Sequence, residues 1–296
     1  MRIAVTGKTG QVVTSLIERG GAAGHEVVAL GRPELDLADP ASVLRALEGA
    51  APDVIVSAAA YTAVDKAESE SEFAHAVNGA GVGAVAEAAK ALGVPLVHVS
   101  TDYVFEGTLD RPYLETDPTG PTGVYGASKL AGEQAVLAAH GDNSAVLRVA
   151  WVYSPFGANF VKTMLRLAGD RDEVSVVADQ LGNPTSALDI ADGILHVATN
   201  MVANSYPELR GVFHMTAKGE ASWADFAEAI FAASAVHSGP RAQVKRITTA
   251  DYPTPAKRPA NSRLDCGLIA KVHGVALPDW HQSLDRVIAR LHSAAA

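Results

Sequence analysis

Tyr125 and Lys129 stand four residues apart in Val124-Tyr125-Gly126-Ala127-Ser128-Lys129-Leu130-Ala131-Gly132-Glu133. On a helix that spacing puts a phenol and a cation on one face, one turn apart. The stretch reads as the start of a helix, because residues 129–137 carry good helix formers and a Leu/Ala/Val face. A free tyrosine, with a pKa of about 10, is a poor base and a slow proton donor at neutral pH. An adjacent ammonium stabilises the phenolate, and lowering the pKa by ~2–3 units would take roughly 3–4 kcal/mol. The phenol would then titrate near the operating pH, where general acid–base catalysis works best. Alone, a Tyr-x-x-x-Lys pair is a weak signal that chance also produces.

Such a pair needs a crevice to face, and the preceding chain has the elements of one. Arg2-Ile3-Ala4-Val5-Thr6 is a β-branched, apolar run, read as a buried strand. Gly7-Lys8-Thr9-Gly10-Gln11 follows, then a helical stretch over residues 12–19. Strand, glycine turn and helix is the dinucleotide-binding arrangement: glycines let the backbone approach a pyrophosphate, and the helix start supplies donors and positive dipole. The third glycine of the usual fingerprint is absent, with Val13 in its place, a position that serves helix–strand packing more than phosphate contact. Gly7, Gly10, Gln11 and Val12 are the candidate contacts.

Residues 26–30 form the next strand, ending in Gly31-Arg32 without the acidic residue that would favour NAD. Arg32 would meet a 2′-phosphate, favouring NADPH over NADH, or else be a solvated arginine. Asp36-Leu37, of a kind that often flanks adenine, precedes a helix with Asp39 as N-cap and Pro40 at the first position. A third strand, residues 53–57, runs into Ala58, Ala59, Ala60 and Tyr61, small residues against which a flat cofactor can lie. Ser69 and Glu72 suggest a capping box for a long helix over 70–92, within which Asn78 reads as structural. A fourth strand, residues 96–100, ends in Thr101-Asp102, read either as polar groups facing the crevice or as a capped turn.

After a fifth strand over 144–149 the alternation changes character. Helices are expected over 159–167, 187–199 and 223–235, and strands over 174–178 and 212–215. Residues 252–259 hold three prolines beside Lys257 and Arg258, with Arg263 close behind: either a connector or a phosphate clamp. The fold class expected is α/β, a Rossmann-type doubly wound parallel sheet with a smaller substrate-binding domain. Residues 1–150 would bind NAD(P), residues 151–296 would bind substrate, and the segment about 176–200 would return to the first domain.

Composition narrows the classes. The chain has 296 residues, 48% hydrophobic and 19% charged, as a folded globular protein has. A net charge of −9 opposes general nucleic-acid binding. One cysteine, Cys266, excludes an intramolecular disulfide and every multi-cysteine metal site, and fits a reducing compartment. No signal peptide and no membrane-length apolar run is visible, so a cytoplasmic protein without membrane contact is expected.

The chain resembles the extended short-chain dehydrogenase/reductase family. The likeness rests on residues 7–11 and 58–68, on Ser-Thr-Asp-Tyr-Val-Phe at 100–105, and on the Tyr125 stretch at 124–133. It continues through Trp-Val-Tyr at 151–153, Asp-Gln-x-Gly-x-Pro-Thr at 179–185 and Tyr-Pro-Thr-Pro-Ala-Lys-Arg-Pro-Ala-Asn-Ser at 252–262. The last two motifs are similar to nucleotide-sugar reductases of the family rather than to its epimerases. The resemblance implies that Tyr125 gives a proton to the C4 ketone oxygen of a dTDP-linked 4-keto-6-deoxysugar while NAD(P)H delivers hydride. Lys129 would hydrogen-bond the nicotinamide ribose and depress the tyrosine pKa. Thr101 would bind the substrate carbonyl and tune the same tyrosine, with Asp102 and Trp151 touching the sugar. Gly10, Gln11, Val12, Asp36, Leu37, Ala59, Ala60 and Tyr61 would line the cofactor. Some relatives form an Mg2+-bridged dimer through a carboxylate early in the first helix. Here Val13-Thr14-Ser15 stands there, no metal ligand set is evident, and a monomer or plain homodimer is expected. An epimerase or dehydratase that retains its cofactor, or a non-catalytic NADP-binding regulatory subunit, are the alternatives.

Overall fold

A computed structural model describes residues 1–293 of the chain. Its first half alternates strands and helices: β1 (Arg2–Thr6), α1 (Gln11–Ala22), β2 (Glu26–Leu30), α2 (Pro40–Ala50) and β3 (Val54–Ser57). Then come α3 (Val64–Ala67), α4 (Ser71–His75), a π-helical stretch (Ala76–Gly81), α5 (Val82–Leu92), β4 (Leu96–Thr101), α6 (Val124–His140) and β5 (Ser144–Val149). The second half adds β6 (Val152–Tyr153), α7 (Phe160–Asp170), β7 (Glu173–Val177), β8 (Leu181–Gly182), β9 (Thr185–Ser186) and α8 (Ala187–Ala203). It ends with β10 (Gly211–His214), β11 (Ala221–Ser222), α9 (Trp223–Val236), β12 (Gln243–Ile247), α10 (Gly267–His273) and α11 (Trp280–Ser293).

Six strands make one sheet in the order β10-β5-β4-β3-β1-β2, every pair parallel. The sheet is the doubly wound one expected. Its strands are short, apolar and buried on both sides, as helices covering each face require. The chain reverses its direction of travel across the sheet between β1 and β3, which opens a crevice beyond the strands' carboxyl ends. Apolar clusters fill both faces, one around Ile3, Leu16, Leu147 and Ile194, the other around Val43, Leu47, Ile55 and Val85.

The expected cut near residue 150 is crossed more than once. Helix α8 packs on α1, and β10 pairs alongside β5 as the sixth strand, well past the segment 176–200 expected to return. An extra strand there covers the edge that β5 would otherwise leave bare. A second apolar body gathers Tyr153, Phe226, Ile230, Trp280 and Leu284 between α7, α9 and α11, beside the parallel pair β7–β12.

Two local expectations change. The helix expected over 70–92 is three segments, and Ser69 builds no capping box. Its hydroxyl donates to Lys66 O at 3.0 Å and so closes α3, while α4 starts without a side-chain cap. The π turn holds Asn78, whose Nδ2 donates to Tyr61 O and Ser128 Oγ and whose Oδ1 accepts from Tyr61 N. One extra residue per turn is a common way to aim a side chain out of a helix's regular spacing. Helix α6 also differs: its buried face is Gly126, Ser128, Lys129, Gly132, Glu133 and Val136, while Leu137 is exposed. The buried side of α6 is therefore mostly glycine and polar groups, with Val136, and not a Leu/Ala/Val stripe. A Cβ on Gly126 would lie 2.2 Å from Tyr103 O, and one on Gly132 2.2 Å from Asn78 O. Any side chain at either point would push α6 outward.

Candidate active site

Thr101 is the last residue of β4 and Tyr125 the second of α6. Gly123 leaves the helix start uncapped by its own side chain, and Glu68, just past α3, serves instead by accepting from Val124 N at 2.9 Å. Thr101 Oγ1 donates to Asp102 Oδ1 at 2.8 Å and accepts from Tyr103 N at 3.3 Å. The Thr101 hydroxyl is close enough to the Tyr125 phenol to lower its pKa, and the Tyr125 ring meets Tyr103 edge-on at 5.5 Å. Lys129, only 2% exposed, donates from Nζ to Val99 O at 2.7 Å. Thr101, Tyr125 and Lys129 thus meet at the carboxyl end of β4.

The electrostatics reverse one expectation. Burial pushes the Tyr125 phenol up to about 12, opposed by the Thr101 hydroxyl and reinforced by the Asp102 charge. Lys129 does not depress it. Burial also lowers the lysine to about 8, with Glu133 acting the other way, and its ammonium is spent on the Val99 carbonyl. Loss of water therefore outweighs the cation one turn away, and the phenol keeps its proton at neutral pH. Asp102 is buried and raised to about 6, chiefly by desolvation and against the lowering effect of the Thr101 and Ser262 hydroxyls. Ser262 Oγ itself donates to Leu181 O at 3.4 Å, and Asp102 Oδ2 makes no hydrogen bond among the described residues. That oxygen is an acceptor waiting for a donor.

The cofactor candidates line the neighbouring crevice. Gly7 has φ 103° and donates from N to Leu30 O at 2.6 Å. Among the described residues no side chain caps α1, whose first turn holds no acidic residue. A Cβ on its N-cap, Gly10, would meet no atom within 4 Å. Unclaimed first-turn N–H groups facing open space fit a dinucleotide pyrophosphate. Val13 fills the third-glycine position by packing on Gly7. Val12 packs against the core. Gln11 turns its amide toward the second half, accepting from Ser154 Oγ and Asn159 Nδ2.

Arg32 is exposed at the end of β2, its carbonyl receiving Lys8 Nζ at 3.1 Å. Asp36 Oδ1 accepts from Ala38 N, and Leu37 is 5% exposed, sunk in the core beneath the crevice. Ala58 N and Ala59 N both donate to Thr6 Oγ1 at 3.0 Å, and Ala60 follows, half-buried. Tyr61 is turned to Glu70, its hydroxyl donating at 2.6 Å.

On the substrate side, Trp151 takes φ 46° and stacks on Trp223 with ring centres 3.6 Å apart. The expected trio of cations divides. Arg258 donates to Asp65 Oδ2 at 2.8 Å, and Asp65 Oδ1 also accepts from Ala256 N. Arg263 is committed to Asn261, Glu220 and Asp110 O, so it is not part of a phosphate clamp. Lys257 is exposed. No group of three or more potential metal-ligating side chains exists among the described residues, and no helix among them is long and apolar enough to cross a membrane.

Several supporting residues escaped the sequence reading. Asp65 and Glu68, within the motif at 58–68, tie that segment to the proline-rich loop and to α6. Glu133 forms a buried two-point ion pair with Arg148, at 2.7 and 3.0 Å. Two signals pointed to it: Glu133 stands one turn after Lys129, and Arg148 interrupts an otherwise uncharged buried strand.

The family profile described as RmlD substrate binding domain matches residues 1–293. The chain belongs to this family. A dTDP-4-dehydrorhamnose reductase of Sinorhizobium fredii is 52% identical over 288 residues, 97% of each chain. Among solved structures, a dTDP-4-dehydrorhamnose reductase of Clostridium acetobutylicum superposes with TM-score 0.90 at 36% identity, covering 98% of this chain and 99% of the other. One from Bacillus anthracis, in complex with NADP, gives TM-score 0.90 at 33% identity over the same shares. The RmlD likeness thus runs through both halves, including the proline-rich loop.

Proposed function

We propose that this protein reduces the C4 ketone of dTDP-4-dehydro-β-L-rhamnose to dTDP-L-rhamnose with NADPH or NADH. The observation that carries this reading is the convergence of Thr101, Tyr125 and Lys129 beyond β4 in a chain whose full length matches reductases of this name. Gly7, Gly10 and the α1 start would hold the pyrophosphate, Arg32 the 2′-phosphate, and Ala58 to Tyr61 the face of the dinucleotide. When bound, the cofactor supplies the hydride that C4 takes up.

The chain's own residues supply the rest. Thr101 orients the carbonyl oxygen toward Tyr125. The neutral phenol, held protonated by burial, passes its proton to that oxygen as negative charge develops there. Lys129 holds the cofactor ribose. The unpartnered Asp102 oxygen accepts a sugar hydroxyl, and Trp151, propped by Trp223, packs the sugar ring. Arg258 and Lys257 border the nucleotide-sugar, which residues 151–296 chiefly receive. The protein is a cytoplasmic monomer or homodimer assembled without a bridging metal, since Val13, Thr14 and Ser15 carry no carboxylate.

The test is NADPH absorbance with dTDP-4-dehydro-6-deoxyglucose, with and without the 3,5-epimerase that makes the rhamno isomer. Loss only with the epimerase is expected. Loss without it means another keto-sugar reductase. No loss in either arm, with cofactor bound, removes the catalytic reading.

A further inference from the structure

Beneath the Tyr125–Lys129 pair lies a second layer of charge that touches neither substrate nor cofactor in the proposed reaction. Glu133 follows Lys129 by one turn on the buried face of α6. Its carboxylate receives three donors: Arg148 Nε at 3.0 Å, Arg148 Nη2 at 2.7 Å, and the Ser100 hydroxyl. The side chains of Arg148 and Glu133 are 5% and 2% exposed. Arg148 in turn lies over the Phe105 ring and meets His214 Nε2 at 3.5 Å. Lys129 and Glu133 therefore grip adjacent residues of β4, the Val99 carbonyl and the Ser100 hydroxyl, immediately before Thr101.

The position has chemical meaning because Lys129 has few other counter-charges. Tyr125 one turn earlier is neutral, and His98 on β4 is buried and held well below its ordinary value, so it too is neutral. Arg148 on β5 is a like charge. Of these groups only Glu133 opposes the loss of the lysine proton that burial favours. Arg148 and Ser100 hold the Glu133 carboxylate in place in return, since a buried carboxylate is tolerated when paired and fully hydrogen-bonded.

We propose that Glu133 is a positioning residue for the reaction: fixed by Arg148 and Ser100, it supplies the negative charge that keeps the Lys129 ammonium in place against β4. This rests on the reductase reading for its consequence in turnover, but not for its effect on the lysine. With its charge removed, Lys129 loses its proton at lower pH, and the alkaline side of the activity profile moves with it.

The experiment compares the wild type with Glu133→Gln and Glu133→Asp. Lys129 is titrated by NMR of isotope-labelled lysine in the protein without substrate, and kcat/KM for the keto-sugar is followed against pH. Glu133→Gln is expected to move the lysine titration and the alkaline limb down by about one pH unit or more. Glu133→Asp, which keeps the charge, should restore most of the shift. If Glu133→Gln does not fold because Arg148 is stranded, the double variant Glu133→Gln/Arg148→Met is compared with Arg148→Met alone, so that loss of the like charge cancels, and the lysine should titrate lower in the double variant. A lysine titration unmoved in either neutral variant, with only thermal stability lost, overturns the proposal. Absence of turnover in the wild type would defeat the reductase reading, while the lysine titration would still judge this one.

Discussion

Tyr125 has to part with a proton at one moment and hold it at every other. Desolvation does the holding, at about 12, and a bound ketone with Thr101 beside it provides the moment of release. Tyr125→Phe should lower kcat by roughly 10²–10⁴-fold and leave NADPH affinity, measured by calorimetry, nearly unchanged. Turnover within a few-fold of wild type would exclude the phenol as proton donor. Asp102 titrates at about 6: above that pH it is a carboxylate that can accept from a sugar hydroxyl, and below it the acid is neutral. KM for the nucleotide-sugar should therefore rise as pH falls through about 6 in the wild type. Asp102→Asn should have a KM that is high and flat over the same range. Tyr125, Lys129 and Thr101 were legible because each pair of functional groups is close in sequence or sits at a strand end. The direction of the tyrosine shift was not, because spacing carries the charge of a neighbour but not the loss of water around it. The tie between Arg258 and Asp65 was not legible either, for a related reason: the two are 193 residues apart.

Among the elements, α6 sets the site geometry, and it does so through what it lacks. Gly126 and Gly132 let the helix lie against Tyr103 and Asn78 backbone at distances no side chain tolerates. Gly132→Ala should destabilise by about 1–3 kcal/mol, as overpacking against backbone does, and should lower kcat because Tyr125 and Lys129 move with the helix. Gly169→Ala in α7 is the control: a Cβ there meets nothing within 4 Å, so helix propensity should make it neutral to slightly stabilising. Thermal melts of the two variants side by side test the contrast. The existence of α6 was readable from its helix formers, but its orientation was not. A periodicity search looks for an apolar stripe, and here the stripe turned inward is Ser128, Lys129 and Glu133 between glycines. The π turn was invisible for a similar reason, since it is aimed by Asn78 at Tyr61 and Ser128, contacts that exist only in the folded chain.

At the scale of the whole molecule, His214 links the sheet edge to the buried charges. Burial, aided by Arg148, lowers it from 6.5 to about 3. The unfolded chain therefore takes up a proton below 6.5 that the folded one refuses until about 3. The histidine's contribution to stability is full above that range and is lost as the pH falls through it. Thermal midpoints should drop between pH 6.5 and 4.5, and His214→Gln should flatten that slope. An unchanged slope would mean that other groups govern acid unfolding. The alternating architecture of the first half was legible from strand and helix periodicity. The return of β10 was harder to read, because a four-residue apolar run says nothing of which sheet it joins.

That returning strand bears on how the protein comes into being. The nucleotide crevice is formed by residues near the amino terminus, yet the sheet beneath it lacks its last strand until residue 214 is available. On a ribosome, β5 would wait as an open edge while some sixty further residues are made, at roughly 5–20 residues per second. A gene cut at residue 150 would make that interval permanent. The amino-terminal fragment would carry every glycine of the cofactor turn and still present an unpaired parallel strand to its neighbours. The sheet thus draws strands from both halves, and a chimera that exchanges substrate specificity would have to carry β10 across with its own β5.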